Sequence, residues 1–338
     1  MNNFATRWVN LASDKLGALA IACSDDFFAP MQRMLSDQPP IFIEDKYDDN
    51  GKWMDGWESR RKRTPGHDWC IVKLARPGVI HGIEIDTSHF TGNYAPAASI
   101  EGCHFLGDDA ALADDDDILW QPILDRSELQ GDNLHSYDIK NEQIYTHLRL
   151  HIYPDGGIAR LKIYGAPKVD WASIPSGELV DIAAALNGGV ALACNNEHFG
   201  QMRNLLTPGR GVNMGDGWET RRRREPGHDW VIIALAHPGL VHQIDIDTAH
   251  FKGNYPDRCA ILAANLPAAP DLDTIESLSE SWAELLPESK LAADTEHSFT
   301  NINTDLGPIT HIRVNIYPDG GISRIRIQAD IHGKAASS

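Results

Sequence analysis

Asp55-Gly-Trp-Glu-Ser-Arg-Arg-Lys-Arg-Thr-Pro-Gly-His-Asp-Trp69 returns later in the chain as Asp216-Gly-Trp-Glu-Thr-Arg-Arg-Arg-Arg-Glu-Pro-Gly-His-Asp-Trp230. Twelve of the fifteen positions are identical, at an offset of 216 − 55 = 161 residues. A match this long and this rich in charge does not arise from composition bias. We call the two stretches the Arg loops. They indicate that the 338-residue chain contains two copies of one domain.

Two further motifs repeat in the same order downstream of each Arg loop. Ile85-Asp-Thr-Ser-His-Phe-Thr-Gly-Asn-Tyr94 matches Ile246-Asp-Thr-Ala-His-Phe-Lys-Gly-Asn-Tyr255 at eight of ten positions. Tyr153-Pro-Asp-Gly-Gly returns as Tyr317-Pro-Asp-Gly-Gly, and an arginine lies three residues beyond each second glycine. A repeat of this length indicates a duplicated domain and not a solenoid. We expect the domains at residues 1–167 and 168–338.

The spacing between the copies is larger upstream of the Arg loops. Met31 corresponds to Met202, an offset of 202 − 31 = 171. The first half therefore carries ten additional residues between Leu35 and Asp55. They lie in Pro39–Lys52, which we call the insertion segment.

The strand signals in each half are short and separated by turn residues. Trp69–Leu74 and Ile80–Asp86 predict two strands joined by a turn at Pro77-Gly78. Thr146–Gly165 predicts a hairpin built on the Pro-Asp-Gly-Gly turn. Ser24 is expected to cap a short helical turn. Short strands at this spacing are typical of an all-β sandwich, and their order resembles the galactose-binding-like jelly roll. We therefore predict an all-β chain of two tandem jelly-roll domains.

Charge and cysteine usage exclude several classes of protein. The formal charge of −18 and the pI near 5.2 argue against a nucleic-acid or anionic-membrane partner. The five cysteines are odd in number and include no CxxC pair, so a zinc ribbon or a disulfide framework is not expected. The start of the chain lacks a signal-peptide pattern, and no apolar run approaches about 18 residues. We expect a cytoplasmic protein with reduced thiols. The acidic run Asp114–Asp117 predicts an exposed loop.

Acid, guanidinium and imidazole groups recur type for type in the two Arg loops, while spacer positions such as Ser59 and Thr220 vary. This pattern favours a ligand site, although a solvated loop whose charges pair with each other is the alternative. His89 and His250 lie at strand ends, where a hydrogen-bonded structural role competes with acid–base chemistry. No HxH or HExxH spacing supports a metal.

The chain resembles the allantoicase family over roughly residues 10–330. The resemblance depends on several motifs together: Ser24-Asp-Asp-Phe-Phe-Ala-Pro30, Gly51-Lys-Trp-Met-Asp-Gly-Trp-Glu-Ser-Arg-Arg61, His67-Asp-Trp69, His89-Phe-x-Gly-Asn93, Met214-Gly-Asp-Gly-Trp-Glu-Thr-Arg221, Asp247-Thr-x-His-Phe-Lys-Gly-Asn-Tyr-Pro256 and Arg313-Val-Asn-Ile-Tyr-Pro-Asp-Gly-Gly321. It implies two jelly rolls, hydrolysis of allantoate to ureidoglycolate and urea in purine breakdown, and a homo-oligomer, with hexamers among the family. Asn196 stands where the family carries an acidic residue, so the second copy of this corner is expected to be structural.

The implied substrate has one carboxylate and two ureido groups on one carbon, and each group suggests partners. Substrate-binding candidates are guanidinium forks for the carboxylate and polar acceptors for ureido N–H groups, namely Arg60, Arg61, Arg160, Asp25, Asp26 and Asn93, with Arg221, Arg222, Arg324 and Asn254. Catalytic candidates for proton transfer and its support are Glu58, His67, Asp68 and His89, with Glu219, His228, Asp229 and His250. In this scheme Asp68 orients an imidazole. No cofactor is firmly predicted, and a divalent metal polarising a urea carbonyl stays an open alternative.

Two other functions compete with the enzyme. Jelly rolls of this kind are often lectin-like modules, which predicts a non-catalytic carbohydrate- or anion-binding protein. A catalytically silent assembly scaffold is the third hypothesis. Acid, arginine and histidine paired in both halves favour the enzyme, and release of urea from allantoate separates all three.

Overall fold

The computed structural model describes residues 4–113, 117–266 and 271–332, which divide into two compact units between Lys168 and Val169. The acidic run predicted as an exposed loop falls at 114–116 outside these residues, apart from Asp117. Within the described residues no helix is long and apolar enough to span a bilayer.

The first unit is built from strands β1 (Val9–Asn10), β2 (Leu19–Cys23), β3 (Tyr47–Asp48), β4 (Gly51–Lys52), β5 (Trp57–Glu58), β6 (Asp68–Asp86), β7 (Ala97–Cys103), β8 (Gln121–Glu128), β9 (Leu134–Asp138), β10 (Ile144–Tyr153), β11 (Gly157–Ile158) and β12 (Arg160–Pro167). Its main sheet has the order β1-β12-β6-β10-β7-β8, and β2 and β9 also pair with β6. Short 3-10 helices lie at Phe4–Thr6, Asp14–Leu16, Met31–Leu35 and Asp109–Ala113.

The second unit repeats this order with β13 (Leu179–Asp181), β14 (Val190–Cys194), β15 (Trp218–Glu219), β16 (Asp229–Asp247), β17 (Arg258–Ala264), β18 (Ala283–Lys290), β19 (Glu296–Phe299), β20 (Ile309–Tyr317), β21 (Gly321–Ile322) and β22 (Arg324–Asp330). The sheet order is β13-β22-β16-β20-β17-β18, with β14 and β19 on β16. The unit also holds helix α1 (Leu272–Ser279) and 3-10 helices at Trp171–Ser173, Ala185–Asn187, Met202–Leu206, Met214–Asp216 and Thr304–Leu306. The prediction of an all-β chain with two tandem jelly-roll units is confirmed.

One strand in each unit contributes to both layers of the sandwich. The 19-residue β16 pairs with β14 and β20 from Asp229 to Ala234, and with β22 and β19 from Leu240 onward. A strand that bends at an irregularity can pass from one sheet to the other. The turn predicted at Pro77-Gly78 is therefore wrong, because this dipeptide lies inside β6, as Pro238-Gly239 lies inside β16, in both cases beside a register shift.

The hairpin predicted across Thr146–Gly165 is also wrong. β10 pairs with β6 and β7, while β12 pairs with β6 and β1. Between them, β11 pairs with β5, where Gly157 lies opposite Glu58. The Pro-Asp-Gly-Gly turn thus brings the chain to the Arg loop and does not join two neighbouring strands.

The short helical turn predicted after Ser24 has another start. It is the 3-10 helix Met31–Leu35, preceded by Pro30, and it buries Met34 and Leu35 completely. The Ser24 hydroxyl instead bonds to the Asp68 carboxylate at 2.9 Å and accepts the amide N–H of Trp69 at 2.9 Å. Ser24 therefore connects β2 to the start of β6.

In each unit a buried arginine binds the first residue of the Arg loop. Arg160, 1% exposed, donates to the Asp55 carboxylate at 2.6 Å and to the Asp55 carbonyl at 2.8 Å. It also donates to the backbone carbonyls of Gln38 at 2.8 Å and Pro39 at 3.4 Å, just where the insertion segment begins. In the second unit Arg324 donates to the Asp216 carboxylate at 2.7 Å. Both arginines therefore hold the first residue of an Arg loop.

We expect Arg160→Ala to lower the free energy of unfolding of the first unit by about 3–5 kcal/mol, because it leaves the Asp55 carboxylate and several carbonyls without their donor. Urea denaturation followed by tryptophan fluorescence measures the effect. Arg60→Ala is the matched control, since that side chain is 62% exposed and its ion pair contributes about 0–1 kcal/mol. Equal losses in the two variants would contradict the role given to Arg160.

Candidate functional site

The Arg loop and the Pro-Asp-Gly-Gly turn of each unit meet at one edge of the sandwich. Residues 59–67 connect β5 to β6, and the Pro-Asp-Gly-Gly turn holds this segment at three points. Gly156 accepts the amide N–H of Ser59 at 3.2 Å, the Asp155 carboxylate accepts that of Lys62 at 2.8 Å, and Pro154 accepts that of Asp68 at 3.1 Å. The second unit repeats the arrangement with Gly320, Asp319 and Pro318, at 3.1, 2.9 and 3.1 Å. The Pro-Asp-Gly-Gly turn therefore fixes the shape of the Arg loop in each unit.

A carboxylate–amide pair lies at the centre of each site. The Asn93 side-chain amide donates to the Glu58 carboxylate at 2.7 Å, and Asn254 donates to Glu219 in the same way. Glu58 is only 9% exposed, and this burial raises the pKa of its carboxyl group against the opposing effect of the Asn93 hydrogen bond. The structure thus brings together two predicted residues from separate motifs, in both units.

In the second unit this pair borders a cavity of about 660 Å³. Glu219 and Asn254 line it together with Arg222, Arg223 and Phe199. An open depression of about 450 Å³ shares Arg222 and is otherwise lined by Arg221, Arg224 and Glu225. A carboxylate acceptor, an amide and several guanidinium groups therefore lie around adjoining spaces.

In the first unit the equivalent pair borders a cavity of about 370 Å³. The insertion segment adds Phe42 and Lys52 to a lining that also contains Glu58, His89 and Asn93. The Lys52 ammonium lies 4.9 Å from the centre of the Phe42 ring. The two units thus present the same carboxylate–amide pair in different surroundings.

The corner formed by Asp25 and Arg60 differs between the units. The Asp25 carboxylate accepts the Arg60 backbone N–H at 2.8 Å and its side chain at 2.7 Å. Burial alone would raise the pKa of Asp25, but the hydrogen bonds from Arg60 and Phe27 outweigh it and lower that pKa. In the second unit Asn196 keeps only the backbone contact, to the amide of Arg221 at 2.8 Å. Asp26 is exposed.

The aspartates that follow the Arg-loop histidines are buried and serve the scaffold. Asp68 accepts the Lys62 ammonium at 2.6 Å and the Ser24 hydroxyl at 2.9 Å. Asp229 accepts Arg223 at 2.6 Å and Asn195 at 3.0 Å. The interpretation that Asp68 orients an imidazole is therefore wrong. Asp68, the first residue of β6, is buried, whereas His67 just before the strand is partly exposed.

His89 and His250 make one contact that is common to both units. Each has a positive φ, 68° and 70°, with a backbone N–H bonded to an aspartate, Asp132 or Asp294. The Nε2 atom of His89 lies 3.1 Å from the Pro40 carbonyl oxygen, and that of His250 lies 2.7 Å from the Gly211 carbonyl oxygen. A carbonyl only accepts, so Nε2 is the donor in both rings. Both histidines support the segment upstream of an Arg loop.

His67 lies in a set of groups that sequence reasoning missed. Its Nε2 atom is 2.9 Å from Nδ1 of His151, and Nε2 of His151 is 2.6 Å from the Glu101 carboxylate. His151 differs from its counterpart Asn315 within an otherwise repeated motif, and that difference was the available signal. Glu101 carried none, because only the pairing of β7 with β10 places it there.

The remaining predicted residues lie apart from this set or have another role. Arg61 is exposed on the first Arg loop, at the position of Arg222 in the second. Nε and both terminal nitrogens of Arg160 donate to oxygens of the protein, including the Ala159 carbonyl at 2.7 Å. Arg324 borders a separate cavity of about 220 Å³, with its Nε buried and unbonded among the described residues. In the same part of the chain, no group of three His, Cys, Asp or Glu side chains is arranged to hold a metal.

Comparison with known proteins identifies the family. The allantoicase repeat model matches residues 9–168 and 180–332. "Probable allantoicase 1" of Burkholderia mallei is 56% identical over 96% of this chain and 95% of its own length, and "Probable allantoicase" of Ralstonia nicotianae is 53% identical over 96% and 95%. The crystal structure of allantoicase from Saccharomyces cerevisiae superposes with a TM-score of 0.80 at 34% identity, covering 95% of this chain and 92% of that one. The chain belongs to the allantoicase family.

Proposed function

We propose that this chain hydrolyses allantoate to ureidoglycolate and urea. The observation that carries the proposal is the 56% identity to a probable allantoicase over 95% of that relative, joined to the carboxylate–amide pair that both units retain. The overall reaction adds one water, breaks one C–N bond at the central carbon and releases one urea.

Recognition of the ureido groups falls to the carboxylate–amide pairs. A carboxylate accepts hydrogen bonds only, and a ureido group offers several N–H donors. In the first unit one oxygen of Glu58 is occupied by Asn93, and the other remains available as an acceptor. Asn93 fixes the orientation of that carboxylate in advance, which lowers the entropic cost of binding. Glu219 and Asn254 offer the same chemistry in the second unit.

Recognition of the substrate carboxylate falls to the cations beside each pair. Arg222 lines both the main cavity and the adjoining depression of the second unit, so its guanidinium can bind a carboxylate next to a ureido group held by Glu219. In the first unit Lys52 lines the cavity, and Arg61 holds the position of Arg222. Arg60 is already paired with Asp25 and is the weaker candidate.

Proton transfer in the first unit is assigned to the Arg-loop histidine, His67. His89 and His250 already donate through Nε2 to carbonyl oxygens, which leaves one nitrogen on each ring. Burial lowers the pKa of His67, and the Lys62 ammonium lowers it further, so the ring is a neutral base at physiological pH.

The proposal extends to organisation, assembly and location. We propose domain limits at 1–167 and 168–338, close to the division into compact units after Lys168. We also propose a homo-oligomer, possible hexamers included, and a cytoplasmic location. Light scattering measures the oligomeric state, and cell fractionation tests the cytoplasmic location.

The first test is urea release from allantoate by the purified protein and two matched variants. We expect Glu58→Gln to lower kcat/KM on the order of 100-fold, because the amide keeps the shape but loses the charge that accepts ureido N–H groups. Glu219→Gln measures the share of the second unit, and Glu178→Gln, an exposed carboxylate, is the control. Wild-type rates in Glu58→Gln, Glu219→Gln and the double variant would rule out this binding role.

The second test is the pH dependence of kcat/KM. Burial raises the pKa of Glu58 above its usual 4.5, and burial lowers the pKa of His67 below its usual 6.5. Both groups act in their deprotonated forms, so we expect activity to be level above pH 6.5 and to fall as the pH drops below it. Initial rates from pH 4.5 to 8 with Glu58→Gln alongside check this. A decline that begins above pH 6.5 would contradict the assignment.

A further inference from the structure

A line of three hydrogen-bonded side chains crosses the outer face of the first unit. β10 alternates, with Leu148, Leu150 and Ile152 buried and His151 on the opposite face. His151 joins His67 at 2.9 Å to Glu101 at 2.6 Å. This line lies where the Arg loop returns to the sheet.

The chemistry of Glu101 fixes the direction of every hydrogen bond in the line. Burial alone would raise the pKa of Glu101, but hydrogen bonds from His151 and Arg149 outweigh it and lower that pKa, so the group is a carboxylate. A carboxylate only accepts, and therefore Nε2 of His151 carries its proton. Nδ1 of a neutral His151 then accepts from Nε2–H of His67. The lone pair of His67 is consequently left on Nδ1.

The groups around the line favour neutral rings and an ionised Glu101. His67 faces Lys62 and Asp68 from its own loop, Arg126 from β8, and His151, Arg149 and Tyr153 from β10. Glu101 is held by Arg149, at 2.9 Å from Nε and 2.8 Å from a terminal nitrogen. Burial lowers the pKa of His151, although the Glu101 hydrogen bond opposes this effect. A carboxylate behind two neutral imidazoles is the arrangement that stabilises a developing imidazolium.

The second unit lacks this line although its backbone is the same. Asn315 stands at the position of His151, opposite Trp230 as His151 is opposite Trp69. Leu262 stands at the position of Glu101, since it pairs with Arg313 as Glu101 pairs with Arg149.

His228 is left without the partners of His67. Its Nε2 is buried, and the side chain that interacts with its ring is the Asn315 amide, whose hydrogen bond raises the pKa of His228 against the larger lowering effect of burial. Arg313 donates from Nε to the Asn315 side chain at 2.9 Å, and from its terminal nitrogens to Ser279 and Glu280 at the end of α1, at 2.7 and 3.1 Å.

Resting on the proposed hydrolysis of allantoate, we propose that His151 and Glu101 are positioning residues that make His67 the general base, and that the reaction is therefore confined to the first unit. Nδ1 of His67 removes a proton from water as the water oxygen bonds to the central carbon. The C–N bond to one ureido group breaks, and the same proton passes from His67 to the leaving nitrogen. Water and allantoate are consumed, ureidoglycolate and urea are formed, and the ring returns neutral.

The test exchanges the residues that differ between the units. His151→Asn gives the first unit the residue of the second, and Glu101→Gln keeps the shape of the carboxylate without its charge. We expect each to lower kcat on the order of 100-fold with little change in KM, and to shift the acid limb that belongs to His67. Asn315→His is the matched control and should leave kcat within about two-fold, because Leu262 still offers no carboxylate. Wild-type kcat and an unshifted pH profile in His151→Asn and Glu101→Gln would overturn the proposal.

A second measurement tests the line of hydrogen bonds directly and does not depend on enzyme turnover. In wild-type protein labelled with ¹⁵N-histidine, the His67 ring, assigned by its loss in His67→Gln, should show a protonated Nε2 and an unprotonated Nδ1 above its pKa. In Glu101→Gln this preference should weaken. The opposite tautomer in the wild type overturns the line of hydrogen bonds. Failure of the wild type to release urea would instead refute the proposed function while leaving the tautomer result intact.

Discussion

The position of each site depends on the ion pair between a buried arginine and the first residue of an Arg loop. Arg160 holds Asp55, and the chain then passes so close to β11 that a Cβ on Gly56 would lie 2.3 Å from the Ile158 carbonyl oxygen. The next residue, Trp57, is completely buried and donates its indole N–H to the Asp25 carbonyl at 2.9 Å. Glu58 follows at a fixed position on β5. In the Asp-Gly-Trp-Glu order, the aspartate thus forms an ion pair, the glycine permits a close approach, the tryptophan is buried, and the glutamate provides the carboxylate of the carboxylate–amide pair.

Local pattern was enough to find the repeats, the β class and the residues that meet as carboxylate–amide pairs. It was not enough to find strand partners. The Pro-Asp-Gly-Gly stretch correctly indicated a chain reversal, but turn chemistry does not say which strand the returning chain joins. Proline and glycine at Pro77-Gly78 indicated a break, whereas β6 continues through them beside a shift of register with β10. The Asp155 contact to the Lys62 amide spans 93 positions and depends on that tertiary arrangement.

The duplication separates what the scaffold requires from what chemistry requires. The clamp of the Arg loop by the Pro-Asp-Gly-Gly turn is the same in both units, within about 0.1 Å at each contact. The functional surroundings differ, with Asp25 against Asn196 and His151 against Asn315. Scaffold contacts involve many backbone groups, so their loss would unfold the edge. Single side chains on an outer face change at little cost in stability, and the second unit shows such changes where the first holds His151 and Glu101.

The insertion segment has a consequence for loop engineering in this fold. The carbonyls of Gln38, just before the segment, and of Pro39, its first residue, accept hydrogen bonds from the Arg160 guanidinium. The second unit, which is shorter here, leaves Nε of Arg324 unbonded among the described residues. Trimming the longer loop to the length of the shorter would therefore transfer that deficit to Arg160. An engineered loop that shortens this region must therefore supply other oxygen acceptors. The length of the insertion segment depends on the need to provide hydrogen-bond acceptors for the buried Arg160 guanidinium.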